Sequence, residues 1–116
     1  MVIEDALPRF EGDLRRGAIV LAAMSQLATA QYGYSLRQRL AEHGMEVEEG
    51  TLYPLLRRLE NQGLLSSEWR IEDGPPRRYY RMSDEGRRLY PQLVTSWRNL
   101  SAVMENLFKE GHPYDL

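Results

Sequence analysis

Residues 50–89 read GTLYPLLRRLENQGLLSSEWRIEDGPPRRYYRMSDEGRRL, and their order decides the fold. Leu52, Leu55, Leu56 and Leu59 fall at i, i+3, i+4 and i+7, the spacing of one apolar helix face. The pattern predicts a helix over 49–61, stopped by Gly63. Leu64 to Ile71 then reads as a strand, Asp73-Gly74-Pro75-Pro76 as a turn, and Arg77 to Met82 as the return strand. Arginines lie on the helix and beyond the turn. A helix followed at once by a basic hairpin is the order in which a winged helix-turn-helix meets DNA.

Upstream, residues 13–29 read as a helix with Leu14, Ala18, Val20, Leu21, Met24, Leu27 and Ala28 spread over more than one face. A helix apolar on most sides must be buried on most sides, more than a small winged domain can do alone. This implies a partner subunit. Gln31 to Gly33 break that helix, and a short second one is expected over 35–43, with Leu36 and Leu40 one turn apart. Residues 1–11 contain Pro8 and three acids and are expected to form a flexible N-terminal arm.

Downstream, Asp84 and Glu85 suit a helix N-terminus. The last helix is expected over 84–109, roughly 39 Å long at 1.5 Å per residue. Within it Leu93, Trp97, Leu100, Met104 and Leu107 are spaced 4, 3, 4, 3, a heptad seam suited to dimerisation. Pro91 is expected to kink it near its second turn. The fold class is therefore mainly α with a small β-hairpin, a winged helix-turn-helix plus a long C-terminal dimerisation helix. The expected organisation is an arm at 1–11, the winged domain at 12–82, the dimerisation helix at 83–110 and a tail at 111–116.

Composition narrows the function. The 116 residues suffice for one domain, and without cysteine there is no disulfide, thiolate nucleophile or cysteine metal site. No apolar run spans a bilayer and no signal peptide opens the chain, so the cytoplasm is expected, with no membrane partner. His43 and His112 stand alone, no cluster has metal-ligand spacing, and neither a phosphate loop nor a nucleophile elbow occurs. No enzyme, metal or cofactor is expected. The net charge of −2 counts against nucleic-acid binding, yet fourteen of the fifteen cations are arginines, whose planar fork suits phosphate and guanine.

On a helical wheel, the side opposite the leucines of 49–61 carries Gly50, Tyr53, Pro54, Arg57 and Asn61, with Arg58 on the flank. Tyr53 can donate to phosphate, and Arg57 can pair with phosphate or a guanine edge. In the hairpin Arg77, Arg78 and Arg81 follow the turn, with Arg70 on the facing strand, where a wing reaches phosphate or the minor groove. Trp69 reads as packing. The alternatives are a solvated amphipathic helix and a hairpin laced by weak ion pairs. Glu48 and Glu49 open the helix where base contacts are usually made and repel phosphate.

Gly33-Tyr34, Gly50-Thr51-Leu52-Tyr53-Pro54, Arg58-Leu59-Glu60, Gly63-Leu64, Arg77-Arg78-Tyr79-Tyr80 and Glu85-Gly86 together resemble the PadR family of bacterial transcription regulators. The resemblance covers about 17–97. It implies a homodimer that binds a palindromic operator in double-stranded DNA, usually as a repressor relieved by a small molecule. By position it puts Tyr53 and Arg57 at the DNA and the Gly74-Pro75 turn at the wing tip. Together with the helix and hairpin reading, the candidate DNA-binding residues are Gly50, Thr51, Tyr53, Pro54, Arg57, Arg58, Arg77 and Arg78. The single short C-terminal helix is similar to the compact, multidrug-binding branch. In that branch a tryptophan at the position of Trp97 stacks on its symmetry mate, and flat aromatic ligands slide between the two rings. Leu93, Leu14 and Ala18 are candidate walls of such a ligand site. Two other readings stay open: a winged-helix module that binds protein, favoured by the acidic balance, and a DNA-binding regulator without an effector, with Trp97 only filling the dimer core.

Overall fold

The computed structural model describes residues 2–110; the expected tail at 111–116 lies outside them. Four helices and three short strands follow in the order α1 (Ile3–Ser25), β1 (Gln31–Tyr32), α2 (Gly33–Glu42), α3 (Glu49–Asn61), β2 (Leu65–Arg70), β3 (Arg77–Met82) and α4 (Asp84–Lys109). The strands form an antiparallel sheet in the order β1-β3-β2.

The core lies where α1, α2 and α3 meet the sheet. Ile19, Ala23, Met24 and Leu27 enter it from α1 and the turn behind it. Leu36 and Leu40 come from α2, and Leu52, Leu55, Leu56 and Leu59 from α3. Leu65, Tyr80 and Met82 close it from the sheet. Each fully buried leucine stabilises the fold by about 1.5–3 kcal/mol over an exposed one, so the stripe on α3 sets its rotation and fixes which side chains face out.

Chain reversals are locally encoded. Gly63 follows α3 with φ of 83°, and the amides of Gly63 and Leu64 bond back to the carbonyls of Glu60 and Leu59, both at 2.9 Å. That left-handed close, natural to glycine, turns the chain directly into β2. Ser83 does two things at the start of α4. Its Oγ accepts from the Gly86 amide at 3.1 Å and donates to the Gly63 carbonyl at 2.6 Å, so the cap also docks α4 on the α3–β2 turn.

Three expectations are corrected. Residues 3–11 are not a loose arm: α1 starts at Ile3, runs through Pro8 and crosses the expected boundary at 11–12. Ile3, Leu7, Phe10 and Leu14 carry a 4-3-4 helical spacing, and Glu4 and Asp5 sit in the first turn where the helix dipole favours them. Pro8 forfeits one donor near the helix start. The segment expected only to break the first helix contains β1, which pairs Gln31 with Tyr80 and Tyr32 with Tyr79 and makes the hairpin a three-stranded sheet. Buried Gln31 is satisfied there, its Oε1 accepting from Ser35 Oγ at 2.9 Å. Trp69 is not packing: it is 65% exposed. On the same face of β2, Leu65 is buried and Ser67 half-buried, so the strand leaves the core as it climbs into the wing.

Helix α4 runs unbroken through Pro91. Its only buried residue is Gly86, with Tyr90 and Leu93 packed partly against the core. Among the described residues, the remaining apolar side of α4 is left exposed.

Candidate nucleic-acid interface

Helix α3 presents two open flanks around its outward ridge of Gly50, Pro54, Arg57 and Asn61. One flank turns towards α1: Thr51, Pro54, Leu55 and Arg58 share a shallow cleft with Arg16 and Ile19. The other turns towards the wing and carries Tyr53 and Arg57. Tyr53 is placed by Gly33, because a Cβ at residue 33 would sit 2.4 Å from its Cε1. The ring lies where any other residue at 33 would stand, at the start of α2.

The N-terminus of α3 is closed by its own acids. Glu49 lies in the first turn and accepts from Arg37 Nη1 at 3.1 Å, while Arg37 Nε donates to the Val47 carbonyl at 3.0 Å. Arg37 therefore pins the α2–α3 loop and offsets one of the two glutamates.

The wing arginines divide by environment. Arg77 is exposed, its guanidinium 4.6 Å from the centre of the Tyr32 ring. Arg78 is half-buried: its Nη2 donates to Glu60 Oε1 at 2.7 Å and its Nε to Ser67 Oγ at 2.9 Å, and Ser67 in turn donates to the other Glu60 oxygen. Glu60 is on α3, so Arg78 fastens the wing to the recognition helix instead of standing free. Arg70 pairs with Glu68 at 2.6 Å and lies over Tyr79. Arg81 is directly opposite Ser66, on the other face of the hairpin from Arg78 and Trp69. Burial pushes the Tyr80 phenol above its ordinary range against the Arg78 guanidinium beside it; Glu60 adds to the rise and Arg57 opposes it. Tyr80 is thus a neutral phenol.

Between recognition helix and wing lies a cleft of about 340 Å³, lined by Tyr32, Gly33, Tyr34, Tyr53, Leu56, Arg57, Trp69, Arg77, Arg78 and Tyr80. The structure brings Tyr53, Arg57, Arg77 and Arg78 together around it. Thr51, Pro54 and Arg58 lie on the far flank of α3. The residues missed from sequence are Tyr32, Tyr34 and Trp69. Trp69 was detectable by register: Trp69 faces Arg78, so the two share a side.

Comparison with known proteins gives a concordant result. The model of the PadR-like transcriptional regulator family matches residues 20–92. The chain belongs to that family. The Mycobacterium tuberculosis transcriptional regulator Rv3488 is 45% identical over 76 residues, 65% of this chain and 71% of that protein. Among solved structures, a PadR family transcriptional regulator from Eggerthella lenta is 42% identical with a TM-score of 0.86, covering 93% of this chain and 96% of its own. A PadR-like transcription factor from Bacteroides fragilis is 36% identical with a TM-score of 0.72, covering 85% and 98%.

This PadR-like protein is accordingly a DNA-binding transcriptional regulator with a winged-helix fold, not an enzyme. Among the described residues no group of acids and histidines is placed to hold a metal, and no helix is long and apolar enough to cross a membrane. His43 closes α2, its Nδ1 2.8 Å from the Arg39 carbonyl.

Away from the cleft, the regulator keeps two apolar stripes in solvent. Trp97, Leu100, Met104 and Leu107 are exposed on α4, joined by Val103 and Phe108, which the heptad spacing does not include. Ile3, Leu7, Phe10 and Leu14 are exposed on α1, Leu14 to 79%. Ala18 and Leu93 are half-buried.

Proposed function

We propose that this regulator works as a homodimer on a palindromic operator, represses transcription there, and responds to a planar hydrophobic or aromatic molecule held at the dimer interface. The observation that carries the proposal is the bare α4 seam. Leu93, half-buried against the core, leads into Trp97, Leu100, Met104 and Leu107, a stripe of large apolar side chains left exposed among the described residues. A stripe of that size is rarely left to solvent. A second copy covers it by two-fold symmetry, because a self-complementary patch meets its own mate. The exposed stripe on α1 enlarges the same interface.

A two-fold dimer gives each half-site one α3. Gly50, Thr51, Tyr53, Pro54, Arg57 and Arg58 then address the major groove, and Arg77 reaches the flanking backbone from the wing. Arg78 supports the wing through Glu60. Trp97 pairs with its mate near the two-fold axis, where an indole face stacks on planar molecules, and Leu14, Ala18 and Leu93 wall the space.

Two measurements test this reading. Leu107→Glu places a charge in the seam, so sedimentation should report a dimer for the parent chain and a folded monomer for the variant. A monomeric parent at micromolar concentration refutes the dimer. Planar neutral or cationic dyes should quench tryptophan fluorescence in the parent but not in Trp97→Ala, where Trp69 remains. Equal quenching in both removes Trp97 from the effector site.

A further inference from the structure

The cleft between α3 and the wing has a lining unlike a bare phosphate-binding surface. Five aromatic side chains face it, Tyr32, Tyr34, Tyr53, Trp69 and Tyr80. Its charge is unbalanced. Arg78 is neutralised by Glu60, but Arg57 and Arg77 have no ion-pair partner among the described residues, so the cleft carries two uncompensated positive charges. Phenol donors stand beside them. Tyr34 Oη accepts from Gln38 Nε2 at 3.0 Å, which leaves its own proton free to donate. The volume of about 340 Å³ lies within the range of small-molecule sites and exceeds what a single phosphate needs.

We propose that this cleft is a ligand site for a planar aromatic ring bearing an anionic group, and that its occupant and DNA exclude each other. The ring stacks among Tyr53, Trp69 and Tyr32, as aromatic faces prefer. The anion takes the guanidinium forks of Arg57 and Arg77, which suit carboxylate, sulfonate or phosphate equally. The site differs in position and chemistry from the Trp97 seam, which has no cation beside it on the 4-3-4-3 stripe and suits neutral or cationic rings. Exclusion follows from shared groups: Tyr53, Arg57 and Arg77 are the side chains assigned to DNA. That part rests on the DNA-facing assignment of α3 and the wing; ligand capture by the cleft does not.

The test uses the full chain in a Trp97→Phe background, so that Trp69 is the sole tryptophan and reports the cleft alone. 8-Anilinonaphthalene-1-sulfonate is titrated while Trp69 emission is followed. The expected result is saturable quenching with one probe per protomer. Arg57→Ala combined with Arg77→Ala should weaken binding at least tenfold, about 1.4 kcal/mol, with unchanged circular dichroism. Neutral 1-naphthalenemethanol should bind at least tenfold more weakly than the sulfonate. Absent quenching, or quenching that ignores the two arginines, overturns the site. Upstream duplex DNA is then added to the probe complex. Displacement in proportion to DNA bound supports exclusion, and a ternary complex refutes it. If no duplex binds at any salt, the DNA-facing assignment fails while arginine-dependent probe binding still upholds the cleft.

Discussion

The sharpest consequence of the wing geometry concerns two adjacent arginines. Arg77 is open to solvent, whereas Arg78 is committed to Glu60 and Ser67. Only the first can release counterions from DNA. With Arg57, Arg58 and Arg77 open on each protomer, a dimer offers six guanidiniums to phosphate. Observed affinity should then fall with a log–log salt slope of about −5.4, roughly a 2000-fold loss between about 50 and 200 mM salt. Arg77→Ala removes two of the six contacts and should flatten the slope to about −3.6. Arg78→Ala should leave the slope near its parent value. Its effect falls on stability, because Glu60 loses its charged partner in a half-buried site, about 1–2 kcal/mol between the values for exposed and buried pairs. The assay is fluorescence anisotropy of a labelled upstream duplex at four salt concentrations, with thermal melts of all three proteins. A slope flattened by Arg78→Ala as much as by Arg77→Ala would show that Glu60 does not hold Arg78, and the division of the wing would be wrong.

Three further outcomes follow from individual contacts. In Gly86→Ala the new Cβ would stand 2.1 Å from the Leu64 carbonyl oxygen, itself bonded to the Ser83 amide, so α4 must lift off its seat. The expected cost is about 1–3 kcal/mol and the melting temperature falls by roughly 10 °C; a rise, as helix propensity alone would give, refutes the packing argument. Gly33→Ala should displace Tyr53 and weaken operator binding about tenfold, while in a Tyr53→Ala background it should cost little more; additive losses would show that residue 33 acts elsewhere. Tyr80 has a folded pKa raised by burial, so its contribution to stability is full below the unfolded value of about 10 and is lost as pH rises through the folded value. Urea midpoints should therefore drop more steeply with alkaline pH in the parent than in Tyr80→Phe, and parallel curves would contradict the assignment.

Those contacts also explain what a single sequence reveals. The α3 stripe, the Gly-Pro-Pro turn and the α4 seam are periodic or local signals, and the structure places α3, β3 and α4 at the expected residues. Strand β1 is invisible to periodicity because two residues have no period; it exists only because Tyr79 and Tyr80 offer it a partner. The start of α1 was obscured by Pro8 and the acids, whose composition reads as a loop although their order is helical. Trp69 was misjudged, and the pairing of Arg78 missed, for a related reason. Alternation tells which side of a strand a residue takes, but not how far along that side the core extends. From Tyr80 towards the wing tip the core has ended, so an aromatic expected to pack lies open, and Arg78 on the same side is held by Glu60 of α3.

The net charge of −2 is compatible with this function because of where the acids sit. Glu60 and Glu68 are each paired with a wing arginine, and Glu49 with Arg37. Glu4, Asp5 and Glu11 lie on the first half of α1. Arg57, Arg58 and Arg77 keep their charge uncompensated by an ion pair among the described residues. Glu48 and Glu49 occupy the N-terminus of α3, a position that elsewhere binds anions, so phosphate contacts are expected at the middle of the helix and at the wing instead. A chain that is negative overall but positive at a few defined points repels DNA that does not meet those points in register. Its non-specific affinity is therefore expected to be low, which would widen the gap between operator and bulk DNA that a regulator depends on.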